Sequence, residues 1–172
     1  MNAVSPSQAS DTVRLERLLP GPIERVWKFL TDSSLRRTWL ADGDMELVPG
    51  GKLTMTWHND ALSDEPTPAR FAGDDGHSMA GTVLACEPPR MLAYTWPMGD
   101  DVTEVRFDLE PRGDDVLLVV THSKLVTRKR RLGVSAGWTA HVEVLQQRLA
   151  GTEPIVFWAH FTQAEERLQA TL

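Results

Sequence analysis

Residues 137–151, GWTAHVEVLQQRLAG, narrow the folding choices of this chain more than any other stretch. Trp138, Val142, Leu145 and Leu149 fall at i, i+4, i+7 and i+11, which is one stripe of an α-helix. Thr139, Glu143, Gln146 and Gln147 lie off that stripe, and Gly151 suits a helix stop. A long helix with such a stripe must bury it against a large apolar surface. Most of what precedes it reads as strands, so the inner face of a curved sheet is the expected partner.

The strands are legible from alternation and turn residues. TVRLERLL (12–19) is the first. PIERVWKFLTD then places Ile23, Val26, Trp27 and Leu30 at helical spacing, with Pro22 suited to the first turn. SLRRTWL (34–40) reads as a second short helix, capped by Asp32, Ser33 or Ser34. DMELVPGGKLTMTW (44–57) is read as two strands around Pro49-Gly50-Gly51, with Leu53, Met55 and Trp57 on a buried face. SMAGTVLACEPP and RMLAYTWPM form the next pair. TEVRFDLEPRGDDVLLVVTHSKL is the clearest hairpin: Val105, Phe107 and Leu109 face inward, and Val116, Leu118, Val120 and His122 share a face of the return strand. That strand is apolar on both faces and is read as central. Residues 59–77 are polar and rich in Asp, Pro and Gly, a length of loop associated with function or mobility. Helices segregated from an antiparallel sheet give an α+β domain.

Composition excludes several classes. The 172 residues carry a net charge of −6, which opposes a nucleic-acid surface, and RKRR at 128–131 is a local exception on the approach to the long helix. The single Cys86 rules out an intrachain disulfide framework and a multi-cysteine zinc site, so a reducing cytoplasm is expected. No apolar run reaches the ~20 residues that span a bilayer. Residues 1–11 have neither the charge nor the apolar core of a signal peptide and read as a disordered tail. Residues 12–151 form the expected domain. Residues 152–172 form a helical extension, with Phe157, Phe161, Ala164 and Leu168 as its buried stripe.

RLERLLPGPIERVWKFLTD, SLRRTWL, GGKLTMTW, GTVLACEPPRMLAYTW, THSKL and GWTAHVEVLQQRLAG occur in an order and spacing that resemble one family. It is the heat-shock-protein-ninety ATPase activator homologues of the START-like (SRPBCC) superfamily, and the resemblance covers roughly residues 12–151. It implies a helix-grip fold: a bent antiparallel sheet of about seven strands around a long C-terminal helix, with two short helices after the first strand. It also implies a cavity for an apolar or amphipathic small molecule, or a chaperone-associated or stress-response role. These 172 residues leave no room for the separate N-terminal domain of the eukaryotic activator, so its counterpart is not expected among them.

Candidate site residues follow from the fold so implied. Trp39, Met55, Trp57, Trp96, Phe107, His122, Trp138 and His141 are the candidate ligand-binding residues. Trp39, Trp57 and Trp96 suit a pocket best; Trp138 also belongs to the clamping stripe. His122, facing inward, is either a ligand anchor or a satisfied structural histidine. His141 flanks the stripe and faces either the cavity or the sheet margin. Were the two imidazoles to meet, they would suit the acid/base chemistry of a cyclase or hydrolase. The five histidines lack metal-ligand spacing, and no metal or other cofactor is expected. No catalytic residue is assigned. Expected partners are a small hydrophobic or amphipathic ligand and a chaperone, in a monomer or homodimer.

Overall fold

The computed structural model describes residues 11–171, so the expected tail lies outside the described residues except for Asp11. The order is β1 (Val13–Pro20), α1 (Ile23–Thr31), α2 (Ser33–Arg36), β2 (Ala41–Asp42), β3 (Lys52–Trp57), β4 (Ser78–Glu87), β5 (Met91–Met98), β6 (Asp101–Arg112), β7 (Asp115–Ser123), α3 (Arg128–Ala150) and α4 (Trp158–Gln169). Two single-turn 3-10 helices, Asn59–Ala61 and Ala69–Phe71, punctuate the long loop after β3. The sheet is seven-stranded, in the order β1-β7-β6-β5-β4-β3-β2, and every pair is antiparallel. It curls into a half-barrel around α3, the α+β helix-grip arrangement.

Alternation decides which side chains enter the curl. On β6, Thr103, Val105, Phe107 and Leu109 are buried; on β7, Val116, Leu118, Val120 and His122 are. Their register pairs Val105 with His122 and Phe107 with Val120, so the two inward sets stand side by side. Trp138, Val142, Leu145 and Leu149 of α3 are all buried. On its flank α3 carries Glu143, which accepts a hydrogen bond from Arg17 of β1 at 3.1 Å.

The second helix ends at Arg36 rather than Leu40, and three larger details depart from the sequence reading. Residues 44–48 form no strand. The chain pairs earlier, at Ala41–Asp42 with Trp57 and Thr56, and touches β3 again through a single bridge, Met45 to Leu53. Gly43 explains the early break: its φ is +131°, and a Cβ there would lie 2.0 Å from the Thr54 carbonyl oxygen. Second, β7 is interior but off-centre, between β1 and β6; pairing on both edges accounts for its apolar character. Third, α3 begins at Arg128, so RKRR is its first turn. Thr127 caps it by accepting the Arg130 amide at 3.2 Å, and Arg130 reaches Asp101 and the Met98 carbonyl. These contacts hold a basic segment where the helix dipole opposes it.

The short helices close one end of the curl. Arg36 is fully buried, and its guanidinium donates to the carbonyls of Leu30, Thr31, Ala41 and Gly43. A buried charge persists when its donors are satisfied in this way. Asp32 caps α2 by accepting the Ser34 and Leu35 amides.

Helix α4 packs against α3 and begins at Trp158, with no cap from its own N-cap residue, Phe157. The loop after β3 supplies one. Glu65 accepts the Phe157 and Trp158 amides on Oε2 at 2.7 and 2.9 Å, and the Ala159 amide on Oε1 at 2.9 Å. Burial works against the ionised carboxylate, but these bonds outweigh it and the Glu65 pKa is lowered. Arg70 of the same loop pairs with Glu165 at 2.7 Å, and Phe71 stacks on Trp158 at 5.0 Å. The loop and α4 are thus joined at three points.

Candidate ligand-binding site

Between β5, β7 and the first half of α3 lies a cavity of about 530 Å³. That size suits a small organic molecule. Its walls include Leu40, Trp57, Trp96, Met98, His122, Val134, Trp138 and His141. The helix presents Arg130, Gly133, Val134, Gly137, Trp138 and His141 to it, positions spaced i, i+3, i+4, i+7, i+8 and i+11. A Cβ built at Gly133 or Gly137 would meet nothing within 4 Å. Gly137, half-buried, thus adds no side chain to this wall, while Gly133 is exposed at its edge.

The aromatic wall is continuous. Trp96 lies 5.2 Å from Trp57, 5.4 Å from Trp138 and 5.4 Å from His122, ring centre to ring centre. Trp138 is both core and wall: its ring also meets Phe107 edge-on at 5.5 Å.

His122 is satisfied by the protein. The Trp138 Nε1–H donates to His122 Nδ1 at 3.0 Å. Thr103 Oγ1 spends its proton on the Trp96 carbonyl at 2.7 Å, so it accepts from His122 Nε2–H at 2.7 Å. The chain of donors makes the imidazole neutral and protonated on Nε2. Burial pushes its pKa down to about 4, in agreement with that state. Of the two readings of His122, the satisfied structural histidine describes its nitrogens, while its ring lines the cavity.

His141 differs. Its Nδ1–H donates to the Trp39 carbonyl at 2.7 Å, which leaves Nε2 as a bare acceptor in the neutral ring. Nε2 has no partner among the described residues. Burial lowers this pKa to about 4 as well, partly countered by the bond to Trp39. His141 faces the cavity rather than the sheet margin.

Three sequence candidates do not line the cavity. Trp39 is fully buried, and its Nε1–H is spent on the Phe29 carbonyl at 2.8 Å. Met55 and Phe107 are buried deeper in the sheet, Met55 with its sulfur 4.0 Å from the Tyr94 hydroxyl. Met55 and Phe107 point inward as strand parity predicts, and Trp39 points inward from the turn after α2, but all three meet packed core. Leu40, Met98, Thr127, Lys129, Arg130, Gly133, Val134 and Gly137 line the cavity without having been singled out. The available signal was the Gly133 and Gly137 pair at i, i+4, visible only once the helix is known to begin at Arg128.

A second space, about 810 Å³, adjoins the first and shares Trp57, Trp96, Met98, Gly133 and His141 with it. Its far walls come from the loop after β3 and from Phe157, Trp158 and Phe161. Among the described residues no group of side chains is arranged to hold a metal ion, and no helix is long and apolar enough to cross a membrane.

A sheet curled around a C-terminal helix, with an aromatic cavity between them, defines a START-like ligand-binding fold. The chain belongs to the family described as Activator of Hsp90 ATPase homolog 1-like protein, whose profile matches residues 20–150. A Bordetella parapertussis protein solved by NMR in solution is similar at 41% identity, with 99% of this chain and 91% of that chain covered and a TM-score of 0.83. A Mesorhizobium loti protein is 26% identical, with 83% of this chain and 99% of that chain covered and a TM-score of 0.65. CalU16 of Micromonospora echinospora shares the fold at 22% identity, with 92% and 86% covered and a TM-score of 0.67. Comparison with curated proteins gives no match.

Proposed function

We propose that the protein binds a small, largely apolar ligand in the cavity between β5, β7 and α3. The observation that carries this reading is the aromatic wall that stands beside the half-buried Gly137. A helix that only clamped a core would present a side chain at Gly137, whereas the space beside it is lined by Trp57, Trp96 and Trp138. Residues Trp57, Trp96, His122, Trp138 and His141 would make the contacts. The walls supply dispersion and burial, and the His141 lone pair supplies one orienting acceptor.

The test uses Nile red as a neutral apolar probe, with dye emission and tryptophan quenching as readouts, and native mass spectrometry of the purified protein for a carried molecule. Wild type is expected to bind the dye in the micromolar range. Gly137→Leu is expected to fold and to lose at least tenfold in affinity, because its side chain occupies the cavity. Equal binding by wild type and Gly137→Leu would place the dye elsewhere and overturn the assignment.

A further inference from the structure

The second space has a different chemistry from the first, and α4, which builds one side of it, lies beyond the residues matched by the family profile. Its rim carries Asp60, Asp74, Asp75 and the exposed His77, and neither lysine nor arginine lines it. The cation nearest in sequence, Arg70, is held by Glu165 at 2.7 Å and lies over the Phe71 ring at 4.6 Å. The first cavity differs, with Lys129 in its lining and with Arg130 there held by Asp101.

The inner wall between the two spaces carries His141, which is 7% exposed. Its Nδ1–H is spent on the Trp39 carbonyl, so the atom left to a guest is the Nε2 lone pair. Two polar atoms of the second space, Asn59 Oδ1 and Trp158 Nε1, are also unpartnered, but both are sealed within the protein. A guest therefore meets an acceptor inside, carboxylates at the rim, and the faces of Trp57, Phe71 and Phe161 around it. Acceptors and π-faces both favour a cation bearing N–H donors. A carboxylate or phosphate would meet neither lysine nor arginine in this lining, only the exposed His77 ring beside the three carboxylates.

We infer that the ligand is an amphipathic amine, its apolar body in the first cavity and its ammonium end in the second. This rests on the ligand-binding reading above and adds the charge and direction of the guest. The loop after β3 and α4 then act together as the specificity wall, joined by Glu65 and Arg70.

Three naphthalene probes of equal chain length test it, ending in an alkylammonium, an alcohol and a carboxylate, titrated at low and moderate salt. Wild type is expected to bind the ammonium at least tenfold more tightly than the alcohol, and the carboxylate most weakly. Asp74→Asn/Asp75→Asn is expected to erase most of the ammonium preference while leaving alcohol binding unchanged. Both positions are exposed, and circular dichroism checks the fold of the variant. Binding of all three probes without an ammonium preference, or a preference that survives the double variant, overturns the inference and leaves the ligand-binding reading standing. Failure of all three to bind overturns both.

Discussion

The Trp138 indole N–H points at His122 Nδ1, 3.0 Å away, and so joins the long helix to the sheet through a buried polar bond at the cavity wall. Continued through Thr103 to the Trp96 carbonyl, it accounts for every donor and acceptor on the His122 ring. A fully satisfied buried chain gives α3 one rotational setting, because any other strands a polar group.

Trp138→Phe keeps the aromatic wall but leaves His122 Nδ1 without its donor. A loss of about 1–3 kcal/mol is expected from urea unfolding. Trp158→Phe is the control, since the Trp158 N–H has no partner to lose. It should cost at least 1 kcal/mol less than Trp138→Phe. Equal losses would mean that area, not the hydrogen bond, sets both values.

Stability should fall with acid. Burial holds His122 and His141 near 4 in the fold, against about 6.5 in the unfolded chain. Between these values the unfolded state binds more protons, so unfolding becomes easier as pH drops. The stability is fully present above about 6.5 and is lost progressively toward 4, on the order of 3 kcal/mol per histidine. His122→Asn should flatten the slope of unfolding free energy against pH in this window. An unchanged slope would show that other groups carry it.

Glu65→Ala removes the shared cap of Phe157, Trp158 and Ala159. The start of α4 should loosen by about 1–2 kcal/mol. Hydrogen exchange at those three amides reports it, with the amides of β6 and β7 unchanged. Exchange that stays slow at all three would indicate another source of order.

Gly133→Ala and Gly137→Ala test the open face of α3 from the side of stability. Each gains helix propensity and meets no neighbour, so each should raise stability by about 0.5–1 kcal/mol. The melting temperature checks this directly, and a fall would mean that the space is smaller than its walls indicate.

The alternating strands, the Trp138 to Leu149 stripe, a cap among Asp32, Ser33 and Ser34 and the antiparallel order were legible in the sequence. They depend on periods of 2 and 3.6 residues and on local turn chemistry, which a single chain displays without its partners. The inward direction of Met55 and Phe107 was legible for the same reason. Whether an inward side chain meets packed core or open space was not, because that depends on what the opposite wall brings to the same height. Gly133, Gly137 and Trp96 acquire their meaning only when α3 lies across β5 and β7. The bonding of His122 was decided the same way: parity turned it inward, but only the packing of Trp138 and Thr103 against it used up both its nitrogens. The joining of Glu65 to the start of α4, 92 residues away at Phe157, left no local trace at either end. Local periodicity determined the shell of this protein, and long-range packing decided where the shell is hollow and what faces the hollow.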